Sequence, residues 1–349
     1  MSEQNSLILD GPKGSFAVSK RPIPKPSTGE LLVKIQAAAL NPVDWKIREH
    51  DMFVTEYPAV LGSDAAGDVE EVGEGVVGWK KGDRIYFQGY YTNDQATFQQ
   101  YCLIPADLAA KIPERYSYSQ AATISVAFTC AAFALFAPRP IGISLNPNFD
   151  VAIKFTGQPV VVIGGSTSVG LYAIQLLHHL SFSPIIAYAS STHESYLREL
   201  GATHLIDRRA VSFSDLPSAV SNLVSKTTSS PLKLVFDAFS GYDAQKAAYT
   251  SCADGGEVIT VNPDALKPEE KVNGKNIFQV VGTVHFPHTR EFGTKMWKVL
   301  GKWFEDGVIV PNRAEDLPNG LQGIVDGLEK MKSGAVSCVK LVAHPQEAV

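Results

Sequence analysis

The fold of this chain is decided by one stretch, Val160-Val-Val-Ile-Gly-Gly-Ser-Thr-Ser-Val-Gly170. Its four apolar residues are typical of a buried parallel strand, and the helix-like run 171–180 follows the glycine turn directly. Free N–H groups at the start of a helix, together with the helix dipole, attract anions. The stretch therefore predicts a site for the pyrophosphate of a dinucleotide, formed by Gly164, Gly165, Ser166, Thr167, Ser168, Val169 and Gly170.

The glycine turn is not a strict G-x-G-x-x-G pattern, and a strand-to-helix turn without a ligand is the alternative. The sequence around it favours the dinucleotide. Further apolar runs follow at 184–189, 232–237 and 257–261, and helix-compatible stretches lie between them, for example at 194–200 and 242–251. This alternation predicts an α/β domain with a doubly wound parallel sheet.

The N-terminal third of the chain has a different pattern. Residues 1–125 are rich in glycine, proline and short β-prone runs, such as 30–36, 66–72 and 84–87. Glycine turns separate these runs, as in a barrel-like β domain. The change to alternating strands and helices comes near 125–130, and a Pro-rich insert at 138–147 is expected to be a surface loop.

Length, charge and cysteine usage limit the classes of function. The 349 residues allow about two domains, and 45% hydrophobic content suffices for two cores. The net charge of −5, without a block of like charges, disfavours nucleic acid and anionic membrane as partners. We expect no membrane span, no signal peptide and a cytoplasmic location. The four cysteines are spaced as free thiols, and no histidine lies in metal-ligand spacing, so we expect no metal.

Several motifs in order resemble the medium-chain dehydrogenases/reductases, the superfamily of alcohol dehydrogenases and quinone oxidoreductases. The resemblance covers essentially the whole chain. Besides the cofactor turn, it rests on segments 41–46 (Asn-Pro-Val-Asp-Trp-Lys), 57–67, 72–76, 80–84, 320–328 and 336–342. It implies a GroES-like β-barrel-type catalytic domain, residues 1–128 completed by 286–349, and a Rossmann NADP-binding domain at 129–285.

The resemblance also indicates a branch of that superfamily. Zinc-dependent members carry a cysteine ligand near Asn41–Asp44 and a later Gly-His-Glu, where this chain has Gly62-Ser63-Asp64. Without a Lewis acid to bind an alkoxide, alcohol oxidation is disfavoured. The zinc-independent branch reduces activated C=C bonds or quinones. Within it, segment 41–44, the glycine turn and the long insert before the cofactor strand resemble fungal trans-acting enoyl reductases and toxin-biosynthesis-type reductases of secondary metabolism.

The expected cofactor is NADPH. NAD-specific sites place an acidic residue at the end of the second strand, whereas here that strand ends in Ser190 and Ser191, whose hydroxyls can donate to a 2′-phosphate. Family resemblance adds Arg208, since an arginine fork suits a phosphate, although a solvated loop is the alternative. The same resemblance places Gly241 beside the adenine ribose, a strand at 281–284 with Gly282 and Val284 at the nicotinamide, and Ser337 near the cofactor.

The catalytic candidates come from the matched segment 41–46. A hydride would add to the β-carbon of an enone, enal or enoyl thioester, so the site needs a donor at the carbonyl oxygen and a proton for the α-carbon. The resemblance implies that Asn41, Asp44 and Lys46 lie at the active-site cleft, close to the nicotinamide. Asp44 would orient the nicotinamide ribose or a water, and Lys46 would donate a hydrogen bond, with a surface lysine as the alternative. Tyr57 is a second candidate donor.

Three questions stay open at this point. A quinone oxidoreductase and a detoxifying 2-alkenal reductase fit the same fold, because variable loops build the substrate pocket. A non-catalytic NADPH-binding accessory protein is the alternative from another class. The expected partner is a small-molecule or acyl-thioester substrate, and the chain is expected to be a monomer or a homodimer.

Overall fold

The computed structural model describes residues 2–272 and 274–347. The chain divides into two compact units. The first unit comprises Met1–Val126 and Thr283–Val349, and the second unit comprises Ala127–Gly282. The domain limits expected from the sequence lie two residues from the first boundary (128 against 126) and three residues from the second (285 against 282).

The N-terminal part of the first unit consists mainly of strands. They are Glu3–Leu9 (β1), Phe16–Pro22 (β2), Glu30–Ala39 (β3), Ala59–Val60 (β4), Asp64–Val72 (β5), Arg84–Gln88 (β6), Tyr101–Pro105 (β7) and Ala109–Lys111 (β8). Two helices, Pro42–His50 (α1) and Tyr118–Ala122 (α2), accompany them, and Ser125–Phe136 (α3) begins at the boundary to the second unit.

Strands and helices alternate through the second unit. After α3 the order is Val160–Ile163 (β9), Ser168–His179 (α4), Ile185–Ala189 (β10), Glu194–Glu199 (α5), His204–Asp207 (β11), Leu216–Thr227 (α6), Leu234–Asp237 (β12), Tyr242–Ser251 (α7), Glu257–Thr260 (β13) and Asn276–Gln279 (β14). The C-terminal residues return to the first unit as Pro287–Asp306 (α8), Ala314–Asp316 (β15), Gly320–Lys332 (α9) and Lys340–Ala343 (β16).

The second unit is built on a parallel sheet whose order, among its described strands, is β11-β10-β9-β12-β13-β14. Every residue of β9, β10 and β12 is buried, as expected for apolar strands covered on both faces. Because β10 and β12 flank β9, the strand order reverses at β9. The carboxyl end of β9 is therefore the topological switch point, where open α/β sheets bind ligands. The predicted Rossmann sheet is confirmed.

The first unit contains two mixed or antiparallel β layers. Within the described residues, β2-β1-β4 form one sheet, and β15-β16-β3-β5-β6-β8 form the other, with β7 also paired to β3. β16, from the C-terminal part, pairs antiparallel with β3 at Val342 and Ala39. The predicted GroES-like β domain is confirmed, and both ends of the chain contribute to it.

Two local expectations were wrong. Residues 281–284 do not form a strand, because the edge of the sheet is completed by β14, which pairs in register with β13 and ends at Gln279. The insert 138–147 is a loop, as expected, but its second half is not at the surface: Ile143 and Asn146 are buried, and the Ile143 N–H donates to the Ala134 carbonyl. The insert folds back on α3 because the last carbonyls of a helix need donors.

One helical segment, Tyr118–Phe136, is long and apolar enough by composition to cross a membrane. Within its most apolar 18-residue stretch, 78% is buried inside the protein. Such burial is typical of a core helix, and Phe128, Phe133 and Phe136 are each fully buried.

Candidate functional site

The glycine turn at the end of β9 requires its glycines. Gly164 has a φ of +71°, which side chains rarely adopt, and a Cβ on Gly170 would lie 2.3 Å from the Gly164 carbonyl oxygen. A Cβ on Gly165 would lie 3.1 Å from the Cβ of Ala187. The turn is therefore packed tightly against its own backbone and against Ala187 of β10, and it places the start of α4 directly at the switch point.

The start of α4 follows this turn immediately. Thr167 is the N-cap residue, and its hydroxyl accepts a hydrogen bond from the Gly170 N–H at 3.1 Å. Ser166 and Ser168 are half-buried beside it, as is Val169. Because Thr167 is engaged in capping, the anion-binding capacity of this end lies in the remaining first-turn N–H groups and the helix dipole.

The end of β10 carries the two serines expected to bind a 2′-phosphate. Ser190 is buried, and its hydroxyl lies 2.5 Å from that of Thr192. Ser191 is exposed, but its hydroxyl donates to Asp207 Oδ2 at 2.7 Å. Arg208 follows Asp207 at the end of β11 and is exposed. The structure thus brings Ser191, Asp207 and Arg208 together, and of these Asp207 was not among the residues singled out from the sequence.

The end of β12 presents a buried carboxyl group. Asp237 Oδ1 accepts hydrogen bonds from the N–H groups of Phe239 and Ser240, whereas its Oδ2 is buried without a hydrogen-bond partner. Burial raises the pKa of Asp237 to about 7. The two bonds fix the loop that leads to Gly241, the N-cap residue of α7, and leave the Phe239 ring 56% exposed beside Gly164.

The remaining predicted cofactor residues lie in loops. Gly282 ends the second unit, where a Cβ would lie 2.0 Å from the Sγ of Cys130, so this glycine permits close packing. Val284 and Ser337 belong to the first unit: Val284 is buried against Gly293 of α8, and Ser337 is exposed in the loop before β16. Contact of these residues with a cofactor stays a prediction.

The first helix of the first unit positions the catalytic candidates. Asn41 is its N-cap residue, and the Asn41 N–H donates to Asp44 Oδ2 at 2.7 Å. Asp44 is fully buried and its Oδ1 has no hydrogen-bond partner. Desolvation raises the pKa of Asp44 to about 7, and the nearby carboxylate of Asp64 also raises it. An inaccessible carboxyl group positions its neighbours rather than contacting a substrate.

Lys46 lies two residues further on and so points away from the Asp44 side of α1. Its side chain is half-buried, and its Nζ lies 5.8 Å from the centroid of the Trp45 ring. Partial burial lowers the pKa of Lys46 below its ordinary value. Tyr57, the second candidate donor, bonds through its hydroxyl to Asp51 Oδ1 at 3.0 Å in an exposed position.

A buried ion pair, not predicted from the sequence, lies next to these residues. Lys340 Nζ is 2.6 Å from Asp64 Oδ2 and also donates to Asn41 Oδ1 at 2.7 Å. The Asn41 side-chain amide donates to Asp64 Oδ2 at 2.8 Å, and the Val126 N–H donates to Asp64 Oδ1 at 2.7 Å. The Asn41 side chain is therefore committed to holding α1, β5 and β16 together. The only sequence signal for this pair is that Lys340 is a charged residue within the apolar segment 339–342.

The comparisons with known proteins identify the family. Residues 27–114 match the alcohol dehydrogenase GroES-like domain. Over 234 residues the chain is 34% identical to the trans-enoyl reductase tazE of Aspergillus terreus, covering 64% of this chain and 74% of that protein. A zinc-type alcohol dehydrogenase-like protein of Schizosaccharomyces pombe is 29% identical over 363 residues, covering 97% and 99% of the two chains.

A solved structure agrees with the fold. A mycobacterial protein complexed with NADPH superposes with a TM-score of 0.77 at 22% identity, covering 98% of this chain and 100% of that one. The chain belongs to the medium-chain dehydrogenase/reductase superfamily. It is an oxidoreductase whose relatives include fungal trans-enoyl reductases.

Proposed function

We propose that this protein is a zinc-independent, NADPH-dependent reductase that transfers a hydride to an activated C=C bond of an enone, enal or enoyl thioester. The observation that supports a nucleotide cofactor is the position of the glycine turn, at the carboxyl end of β9 where the strand order reverses and α4 begins. The substrate class is supported by the relatives named trans-enoyl reductases.

The residues at the switch point fit a dinucleotide. The closed turn from Gly164 to Gly170 exposes backbone to a pyrophosphate, and the first turn of α4 supplies N–H donors and a favourable dipole. Arg208 would lie at the adenosine ribose and favour the 2′-phosphate of NADPH, and Ser190 and Ser191 would line the same subsite. Gly241, Gly282, Val284 and Ser337 are the further proposed contacts.

Zinc independence is supported by the chemistry of the residues around Asp64. The Lys340 ammonium group already neutralises Asp64, and a buried cation at 2.6 Å disfavours a second one. Among residues 2–272 and 274–347, no group of three His, Cys, Asp or Glu side chains is arranged to hold a metal ion.

The proposed chemistry needs a hydride, a group that stabilises the carbonyl oxygen and a proton. The cofactor, when bound, supplies the hydride that forms the new C–H bond at the β-carbon. The C=C electron pair moves toward the carbonyl as an enolate, and the α-carbon then takes a proton. We assign Lys46 to the developing oxygen charge, since partial burial strengthens a hydrogen bond from its ammonium group. Asn41 and Asp44 position α1, which carries Lys46.

A panel of acceptors tests the proposal directly. Purified protein is given enones, enals, enoyl thioesters, quinones and ketones in turn, and oxidation of NADPH or NADH is followed by absorbance. We expect turnover on enones, enals or enoyl thioesters with NADPH preferred, unchanged by a chelator. Turnover on quinones alone would indicate a quinone oxidoreductase, and tight NADPH binding without turnover on any acceptor would indicate an accessory protein. Either result overturns the proposal, as does a preference for NADH.

We also propose a cytoplasmic location and a monomer or homodimer as the working assembly. In the described part of the chain, Cys102, Cys252 and Cys338 are free thiols, which suit a reducing compartment. Light scattering of the purified protein determines the assembly, and a tetramer or larger species would contradict it.

A further inference from the structure

The hydroxyl of Ser191 is already engaged by an acidic side chain. Its oxygen donates to Asp207 Oδ2 at 2.7 Å, and the Ser191 N–H points to Asp207 Oδ1 at 3.3 Å. Asp207 is the last residue of β11, which pairs in parallel with β10 so that Ala189 and Asp207 lie side by side. A carboxylate thus lies at the carboxyl end of the sheet, next to the loop expected to bind the adenosine ribose.

This arrangement changes what the serines can do. A hydroxyl has a single proton to donate, and Ser191 gives it to Asp207, so lone pairs rather than a proton face a neighbouring anion. Ser190 offers no replacement, because it is buried and its hydroxyl lies 2.5 Å from that of Thr192. A 2′-hydroxyl, which is itself a donor, suits the Ser191 oxygen better than a phosphate does.

The carboxylate also carries charge. Hydrogen bonds from the Arg209 N–H and from Ser191 hold the pKa of Asp207 below its usual range, so the group is ionised at neutral pH. In the described part of the chain no side-chain ion pair joins Asp207 to Arg208 or Arg209, although both arginines are exposed nearby and the charge of Arg209 helps to lower the pKa of Asp207. The charge of Arg209 offsets part of this negative charge, and the remainder repels a phosphate dianion placed against Ser191.

We propose that Asp207 is a specificity-determining residue that acts against the 2′-phosphate and so limits the preference for NADPH over NADH. The inference rests on the proposed function in one respect: it takes the loop after β10 as the adenosine ribose subsite. Arg208 attracts a 2′-phosphate and Asp207 repels it. The preference for NADPH over NADH is set by the difference between these two effects.

The test is a binding measurement with fragments of the nucleotide. Adenosine 2′,5′-bisphosphate and 5′-AMP are titrated by calorimetry into the full-length wild type and into Asp207→Asn, which keeps the shape of the side chain and its acceptor oxygen. We expect the variant to bind the bisphosphate about threefold to tenfold more tightly at low salt, and 5′-AMP within about twofold of the wild type. The gain should shrink as salt screens the charge.

Two further variants separate the causes. Ser191→Ala introduced into Asp207→Asn should remove part of the gain, because a neutral amide holds the Ser191 hydroxyl less strongly than a carboxylate does and lets it donate to the phosphate. Asp254→Asn removes an exposed carboxylate near the amino end of β13, away from the carboxyl ends of β10 and β11. It serves as the charge-matched control and should leave both affinities unchanged.

The outcomes distinguish this inference from the proposed function. Equal effects of Asp207→Asn on both ligands, or no effect on either, would overturn the inference whatever the wild type prefers. A wild type that binds the bisphosphate no better than 5′-AMP, together with a selective gain in Asp207→Asn, would overturn the NADPH preference and support the role of Asp207.

Discussion

Lys340 and Asp64 form a fully buried ion pair that joins the C-terminal strand β16 to β5. Their charged atoms are 2.6 Å apart, and their side chains are 2% and 0% exposed. Breaking a buried pair leaves an uncompensated charge in the interior, which is far more costly than losing a surface pair. The stability of the first unit is therefore expected to depend strongly on this one contact.

Lys340→Met should lower the free energy of unfolding by about 3–5 kcal/mol, measured by urea denaturation. The double variant Asp64→Asn, Lys340→Met should recover part of the loss, because it removes the stranded charge. Lys302→Met is the matched control, since its pair with Asp306 is exposed, and it should cost less than about 1 kcal/mol. Equal losses for the buried and the exposed pair would contradict the expectation.

Asp44 should make stability depend on pH. Burial raises the pKa of Asp44 to about 7 in the folded protein, against about 3.9 for an unfolded aspartate. The folded chain therefore keeps a proton that the unfolded chain releases. The resulting stability is fully present below about pH 4 and is lost as the pH rises through about 7.

The variant Asp44→Asn has no such titration. Between about pH 4 and about pH 8 its stability should rise relative to the wild type by roughly 2–4 kcal/mol, measured by urea denaturation at several pH values. Asp254→Asn, at an exposed position, should follow the wild-type curve. Parallel pH curves for Asp44→Asn and the wild type would show that Asp44 is ionised in the fold.

Gly170→Ala should impair the cofactor half of the site. The added Cβ meets the Gly164 carbonyl oxygen at 2.3 Å and the Gly165 Cα at 3.0 Å, both of them backbone atoms that cannot swing aside. We expect the turn to open and NADPH affinity to fall at least about tenfold, measured by fluorescence titration. Gly11→Ala, where nothing lies within 4 Å of the new Cβ, should leave the affinity unchanged. Wild-type affinity in Gly170→Ala would remove the turn from the cofactor site.

Lys46→Gln should lower kcat/KM for an enoyl acceptor by about 100-fold while the Kd for NADPH changes little, because the lost interaction is with the developing oxygen charge. Partial burial lowers the pKa of Lys46, so wild-type activity should decline at a pH below the ordinary lysine range, as the amine loses its proton. Lys46→Arg should retain part of the activity and shift that decline upward. Lys20→Gln, at an exposed position, is the control and should leave kcat/KM unchanged. An unchanged kcat/KM in Lys46→Gln would exclude Lys46 as the donor.

Structural features that depend on residues close together in the chain could be predicted from the sequence. The apolar run 160–163, the glycine turn and the run 171–180 correspond to β9, the turn and α4, because burial of a parallel strand and helix initiation both leave local patterns. α7 has the expected bounds for the same reason. α8 was missed although its pattern is readable, with Phe292, Met296 and Trp303 among the buried residues on one face.

Contacts between distant residues could not be predicted in this way. The residues around Asp64 do not indicate that Lys340 pairs with it, and the residues around Ser191 do not indicate that Asp207 accepts a hydrogen bond from its hydroxyl. Strand pairing brings the members of each pair together. The strand expected at 281–284 failed for a related reason. Residues 281–284 are apolar enough for a strand, but Asn276–Gln279 pairs with β13 instead. That segment begins and ends with polar residues, so its local pattern indicates a strand less clearly.

The first unit is assembled from both ends of the chain, and this has a consequence during synthesis on the ribosome. Asp64 leaves the exit tunnel long before Lys340 does, so the nascent N-terminal sheet carries an unneutralised carboxylate and an open edge at β3, where β16 later pairs. The second unit lies wholly between these two segments and needs neither of them for its sheet. Translation thus completes the second unit before β16 emerges, and pairing of β16 with β3 then completes the sheet of the first unit.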